Sequence, residues 1–244
     1  MKTLIIIPSR LSATRLRGKP LLKINGLAMI SHVFNKAVEA NIGEVFVATE
    51  DKEIIDEVEK NGGKAVLTGN HHKTGTDRIF EAVIKLKKPD TELVMNLQGD
   101  EPLMNIEDIQ NLHNHMVKTK SQMGTLASLI KDKDHYQNKN FVKVITKDRL
   151  DKFQFSDALN FTRAIENTYE KIYHHLGIYC FQLDTLKKFV TLEQSPNEIK
   201  NSLEQLRALD NNIEINVALA KSSPIGVDTE EDYLALKKIM EYKA

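Results

Sequence analysis

The order of apolar runs predicts an α/β protein with a mostly parallel sheet and helices on both faces. Three observations predict it. Short apolar runs at Leu4–Ile7, Glu44–Ala48, Lys64–Leu67 and Glu92–Leu97 have the length of buried strands. Segments of helical period alternate with them. The chain has 244 residues and is 41% hydrophobic, enough to build one α/β core.

Each element follows from its own pattern. Met29, Ile30, Val33, Phe34, Ala37 and Val38 recur at helical spacing, so a helix is expected from about Ala28 to Ala40. Ile54, Ile55 and Val58 mark a short helix that Gly62-Gly63 ends. Ile79, Phe80, Val83 and Ile84 mark the next, with Thr76 as its cap. Beyond the fourth strand the pattern changes. Met123–Ile130, Phe141–Thr146 and Ile172–Phe181 read as strands with no long helix between the last two. They are either antiparallel additions to the sheet or a small lobe. A helix from about Glu198 to Leu209 follows, with Ile199, Leu203 and Leu206 on its core face. Alternating Ile213, Ile215, Val217 and Leu219 make a late strand. A last helix starts after Thr229, with Asp232 completing a capping box, and buries Leu236, Ile239 and Met240. One domain over residues 1–244 with an inserted lobe at roughly 123–181 is the simplest organisation.

Charge and cysteine usage exclude several classes. Lys+Arg and Asp+Glu are 34 each, so the net charge is zero, whereas bulk binding of nucleic acid needs a basic domain. The lone Cys180 permits no internal disulfide and no cysteine metal cluster. No apolar run approaches the roughly 20 residues that span a bilayer, and Leu4–Ile7 is too short for a signal-peptide core. A cytoplasmic protein is expected.

The chemistry-bearing residues sit at strand ends. Arg10-Leu11-Ser12-Ala13-Thr14-Arg15-Leu16-Arg17-Gly18-Lys19 follows the first strand. In an open α/β sheet, ligands bind just outside the carboxyl ends of strands. Arginine forks and a lysine charge suit polyphosphate oxygens; a solvated basic loop is the other reading. Gln98-Gly99-Asp100-Glu101-Pro102 follows the fourth strand on the same edge. Asp100 is either part of an ordinary Gly-Asp turn or a carboxylate for Mg²⁺, which favours one or two carboxylates plus substrate phosphates. Asp228, in Gly226-Val227-Asp228-Thr229, is either a helix cap or the second carboxylate of that site.

In His174-His175-Leu176-Gly177-Ile178-Tyr179-Cys180, strand alternation turns His175, Gly177 and Tyr179 to one side. His175 and Tyr179 then line a pocket over Gly177, while Cys180 faces the core as a small hydrophobe. His174 and His175 diverge, so a zinc site lacks partners there. His71 and His72 read as a solvated pair. Thr74-Gly75-Thr76-Asp77-Arg78 opens a helix, whose amino terminus attracts anions. Glu204 and Arg207, three residues apart, read as a surface pair.

Taken together, Arg-x4-Arg-x2-Gly-Lys-Pro, Thr-Gly-Thr-Asp-Arg, Gln-Gly-Asp-Glu-Pro, Thr-Arg-Ala, His-Leu-Gly-Ile-Tyr, Glu-Gln-Leu-Arg and Val-Asp-Thr-Glu-Glu-Asp occur in this order. The set resembles the 3-deoxy-manno-octulosonate cytidylyltransferases (CMP-Kdo synthetases) from about Leu4 to Tyr233. The resemblance implies a nucleotide-diphospho-sugar transferase-like (Rossmann-like) fold and a homodimer built on the inserted antiparallel lobe. It implies transfer of CMP from CTP to the sugar acid Kdo with Mg²⁺, for lipopolysaccharide biosynthesis. Carried onto this chain, Arg10, Arg15 and Lys19 would hold the triphosphate, and Arg78 and Gln98 would border cytosine and sugar. Asp100 and Asp228 would bind Mg²⁺, with Lys19 and both aspartates as the catalytic set. Arg163, His175, Tyr179, Glu204 and Gln205, with Gln98, would hold the sugar acid, and His175 is the fallback general base.

The chain departs from the family at Arg17, at Ser12-Ala13, at Asn160-Phe161-Thr162-Arg163 and in the short polar stretch Ile165–Lys171. The last two adjoin the sugar-binding residues, so 8-amino-Kdo or a sialic-acid-type sugar is the alternative acceptor. A non-catalytic nucleotide-binding module is the alternative to an enzyme.

Overall fold

The computed structural model describes residues 1–12, 16–131, 134–151, 154–165, 171–223 and 226–242. They divide into two compact units, one of residues 2–107 and 224–244, the other of 108–223 with Met1.

In the first unit, β1 (Lys2–Ser9) is followed by a 3₁₀ turn at Lys19–Leu21 and a small hairpin, β2 (Lys23–Ile24) and β3 (Leu27–Ala28). Helix α1 (Met29–Glu39), β4 (Glu44–Thr49), α2 (Lys52–Lys60), β5 (Ala65–Leu67), α3 (Gly75–Leu86) and β6 (Thr91–Asn96) then alternate. The strands pair in the order β5-β4-β1-β6, and every pairing is parallel. Ile5, Ile6, Ile7, Val47, Leu93, Val94 and Met95 are fully buried or nearly so, as expected of strands covered on both faces. Strand order reverses between β1 and β6, so the loops leaving these two strands open a crevice at their carboxyl ends.

Helix ends follow local chemistry. Gly62 adopts φ 78° after α2, where its N–H reaches the Glu59 carbonyl and that of Gly63 reaches Val58, the arrangement that closes a helix on a left-handed residue. Helix α3 is capped by Thr74, whose Oγ1 accepts from the Asp77 N–H at 3.2 Å. Thr76, expected as the cap, lies inside the helix and is buried. Thr74 wins because its position leaves Asp77 at the third helical residue, where the carboxylate favours the positive end of the helix.

The second unit begins with most of α4 (Ile106–Thr119), then β7 (Met123–Ser128), a helical turn α5 (Asp134–Gln137), β8 (Lys143–Thr146), β9 (Ser156–Thr162) and β10 (Ile172–Gln182). Helices α6 (Leu183–Thr191), α7 (Pro196–Asn201) and α8 (Gln205–Asp210) lead to β11 (Ile215–Leu219). Its strands run β10-β7-β11-β9-β8, and β8 pairs back onto β10, so the pairing closes on itself. Most pairings are antiparallel, but β11 enters parallel to β7.

The helix expected over Glu198–Leu209 is instead two, α7 and α8, broken where Ser202 takes φ 52°. The break turns Ile199 out to solvent, against the core position expected for it, and leaves Leu203 and Leu206 buried. After β11 the chain returns to the first unit, where α9 (Glu230–Glu241) buries Leu236 and half-buries Ile239 and Met240. Its capping box is complete: Thr229 Oγ1 accepts from the Asp232 N–H, and Asp232 accepts from the Thr229 N–H. No helix among the described residues is long and apolar enough to cross a membrane.

Candidate functional site

Both ends of the loop after β1 are tied down. The Leu11 N–H donates to Asp51 at 2.7 Å, and the Gly18 N–H returns to the Leu11 carbonyl at 3.3 Å. Gly18 itself sits at φ 67°, a conformation glycine adopts without Cβ strain, and it hands the chain into the turn that starts at Lys19. Pro20 is buried in that turn, so the Lys19 side chain points from a fixed base.

The loop after β6 passes close to β1. A Cβ on Gly99 would come within 3.2 Å of the Pro8 carbonyl, so only glycine lets the backbone run there without displacement. Asp100 follows at once. Its carbonyl accepts from the Val227 N–H at 3.1 Å, which ties the strand end to the segment before α9. Val227 is fully buried with Ile24, Met29 and Leu236. That plug positions the next residue, Asp228.

Lys19 bridges the two aspartates. Its Nζ donates to Asp100 at 2.6 Å and to the Val227 carbonyl at 2.6 Å, and lies 3.6 Å from Asp228. The Lys19 side chain is only 14% exposed, which removes much of the water that would screen these charges. The capping alternative for Asp228 falls away, because Thr229 occupies the cap and Asp232 closes the box. Two carboxylates sharing one ammonium leave an excess of negative charge, and this all-oxygen donor set fits a hard divalent cation such as Mg²⁺ that completes its shell with water and phosphate.

Arg10, Lys19, Arg78, Gln98, Asp100 and Asp228 all line one cavity of about 340 Å³. Arg15 lies outside the described residues. Pro8, Ser9 and Lys73 also line the cavity and carried no signal of their own in the sequence, although Ser9 adjoins Arg10 and Lys73 adjoins Thr74; His72, read from the sequence as solvated, lines it too. Arg78 is buried, and its guanidinium is engaged: it donates to Glu50, to Thr68 Oγ1 at 2.6 Å and to the Gly69 carbonyl at 3.2 Å. It therefore braces the loop after β5. Gln98 donates to Asn96 Oδ1 at 3.1 Å, which fixes its amide.

The remaining candidates lie in the second unit. Strand β10 has a register shift between Leu176 and Tyr179. The rings of His175 and Tyr179 stand 5.4 Å apart, on one side as expected, while Cys180 is fully buried and burial pushes its thiol up to about 12. The solvent-excluded setting, with His174 beside it, holds His175 down at about 3. A neutral imidazole at physiological pH with so low a pKa is a poor proton acceptor, which argues against the fallback general base. Thr125 Oγ1 donates to the Ile178 carbonyl at 2.7 Å and so accepts from His175 Nε2 at 3.0 Å. That assignment leaves His175 Nδ1 as an acceptor for a ligand hydroxyl.

Arg163 reaches the carbonyls of Asn201 at 3.1 Å and Ser202 at 3.2 Å, just before Glu204 and Gln205, and that of Lys139 at 3.2 Å. Lys143, which the sequence reading passed over, is fully buried and donates to the Asn138 and Arg163 carbonyls at 2.6 and 3.2 Å. Burial, then Arg163, lowers its pKa. Gln205 is buried.

Arg207 keeps its expected neighbour Glu204 but does not sit on the surface. It is buried and forms a two-pronged pair with buried Glu198 at 2.8 and 2.6 Å, stacks 4.7 Å from the Phe189 ring, and lies 3.9 Å from Glu204. The bend at Ser202 brings positions nine apart together. Nor are His71 and His72 merely solvated: His72 Nε2 pairs with Glu81.

A family model described as cytidylyltransferase matches residues 4–215. A 3-deoxy-manno-octulosonate cytidylyltransferase of Rhodopseudomonas palustris (strain BisB18) is 42% identical over 99% of this chain and 98% of its own. One of the same name from Thermodesulfovibrio yellowstonii is 41% identical over 98% of each. The solved structure of a CMP:2-keto-3-deoxy-manno-octonic acid synthetase complexed with CTP superposes with a TM-score of 0.90, at 34% identity and full coverage of both chains. Fold, crevice and sequence agree: the chain belongs to the cytidylyltransferase family.

Proposed function

We propose that this protein transfers CMP from CTP to Kdo and releases pyrophosphate. The observation that carries the proposal is the meeting of Lys19, Asp100 and Asp228 on the cavity that Arg10 also lines. The names of its relatives support the choice of CTP and Kdo.

The anomeric hydroxyl of the sugar acid attacks the α-phosphorus of CTP in line and gives up its proton to solvent water. The bond from that phosphorus to the β-phosphate bridging oxygen breaks, and pyrophosphate carries the electron pair away. Two anions must meet, and more charge collects on the leaving group. Arg10 and Lys19 neutralise that growing charge, with Arg15 assigned to the same task by its place in the loop. Asp100 and Asp228 would hold Mg²⁺, which when bound lowers the pKa of a coordinated hydroxyl and orients it. Gln98 fixes a polar contact at the cavity wall. His175 and Tyr179 would bind sugar hydroxyls, Arg163 would pair with the acid, and Glu204 and Gln205 would complete that subsite. We further assign the chain to the cytoplasm, where it would act as a single nucleotidyltransferase domain, homodimeric through the lobe at roughly 123–181, in lipopolysaccharide biosynthesis.

The test is pyrophosphate release with CTP and Mg²⁺ on a panel of Kdo, 8-amino-Kdo and sialic acid. Turnover is expected with Kdo above the other two. A preference for either of them transfers the assignment to that sugar, and CTP binding without turnover on any of the three makes the protein a binding module. Within the same assay, Lys19→Ala is expected to lower kcat at saturating CTP by about a hundredfold, as loss of a transition-state donor does. A rise in KM at constant kcat would assign Lys19 to ground-state binding alone.

A further inference from the structure

We propose that His71, His72 and Glu81 form a second metal site, one that takes a divalent transition ion of the Zn²⁺ type. It lies in the loop between β5 and α3 and on the first turns of α3. Each residue offers one ligand atom, and these atoms all lie within 4.8 Å of one another. Tetrahedral coordination with bonds of roughly 2.0–2.1 Å spaces ligand atoms roughly 3.3 Å apart, so small side-chain shifts suffice to seat an ion.

The surroundings are prepared for it. Glu81 divides its two oxygens: Oε1 pairs with Lys85 at 2.7 Å, while Oε2 faces His72 and accepts from the Gly69 N–H at 2.9 Å. That backbone bond is the kind of outer partner that orients a ligating carboxylate. A Cβ on Gly69 would meet the His71 ring at 2.5 Å, so the absence of a side chain there is what lets the ring lie down beside His72, at 4.4 Å between centroids.

Two imidazoles and one carboxylate select against the ion of the catalytic cavity. Mg²⁺ prefers oxygen ligands, whereas imidazole suits Zn²⁺, Ni²⁺ and Cu²⁺. With three protein ligands the fourth position stays open to water or to a phosphate oxygen. His72, Lys73, Thr74 and Gly75 line the nucleotide cavity, so an ion here pins one of its walls. The sequence pairing His71-His72 lacked a third ligand; the fold supplies Glu81 from the second turn of α3.

The test is calorimetric titration of the full chain, stripped of metal, with Zn²⁺ in excess Mg²⁺. One Zn²⁺ per chain is expected, with affinity unchanged by Asp100→Asn and weakened about tenfold or more by His71→Ala. His71 is exposed, so this variant keeps its fold, and Glu81→Gln serves as a second variant. Zn²⁺ should also raise the Tm of the unmodified protein and not that of His71→Ala. Equal Zn²⁺ affinity in His71→Ala, or no Zn²⁺ bound by the unmodified protein, overturns the site.

Discussion

Asp100→Asn is expected to cut pyrophosphate release by about a hundredfold or more while the protein stays folded. Asparagine keeps the shape of the side chain and still offers an oxygen to Lys19. What it loses is the charge that a divalent cation needs. The ammonium keeps its other partners, the Val227 carbonyl at 2.6 Å and Asp228 at 3.6 Å, so Lys19 has no cause to leave its place. Lys19 thus keeps two oxygen partners, so its partly buried charge stays compensated in the variant. The pairing of effects is the diagnostic: a large loss of turnover with an unchanged thermal transition. Near-normal turnover in this variant would remove Asp100 from the reaction.

The largest expected effect on stability is elsewhere. Arg207→Ala should destabilise the fold by about 3–5 kcal/mol, because it leaves the Glu198 carboxylate buried without its counter-charge. In a chain of this size that corresponds to a Tm lowered by roughly 6–20 °C. Glu198 is tied in on several sides: it accepts from the Ser195 N–H at 3.2 Å to close the α7 capping box, and from Gln194 at 3.1 Å. Replacing it with Gln in the Arg207→Ala background should restore part of the loss, since the neutral amide keeps shape without charge.

The pH dependence carries a sign. Burial raises the Glu198 pKa, but Arg207, together with Gln194 and the Ser195 N–H, outweighs it and holds the carboxyl below its ordinary 4.5. The pair's contribution is therefore complete above that value and fades as pH falls through the lowered one. Without Arg207 only Gln194 and the Ser195 N–H oppose burial and the carboxyl titrates higher, so the gap between variant and parent should narrow in acid. Because α8 begins beside Glu204 and Gln205, the KM for the sugar acid should rise as well. A Tm within two degrees of the parent would mean Glu198 finds water or another partner.

Much of this was legible in sequence where apolar runs carry the signal. Strands β1, β4, β5 and β6 are near-continuous hydrophobic segments, and a parallel sheet sends all their carboxyl ends to one edge. Loops far apart in the chain, such as those carrying Lys19 and Asp100, could thus be placed on one edge before any coordinates, whereas Asp228 joined them through the family resemblance. Elements with diluted patterns escaped. Helix α4 buries only Asp108, Ile109, Leu112 and Met116 among polar and histidine residues, and β9 reads Ser-Asp-Ala-Leu-Asn. Local bends also escaped. Nothing at Ser202 announces a left-handed residue, since neither glycine nor proline stands there. Helical spacing keeps Arg207 3.9 Å from Glu204, and only the bend at Ser202 brings it to Glu198 as well. The His72–Glu81 contact was hidden likewise, since it joins a loop to a helix face.

The most direct measurement on the central claim is anomalous diffraction from crystals grown with CTP and Mn²⁺ in place of Mg²⁺. A manganese peak bonded to carboxylate oxygens of both Asp100 and Asp228 is expected, with the triphosphate against Arg10 and Lys19. Manganese that touches neither aspartate, or a triphosphate bound away from the loop after β1, would contradict it.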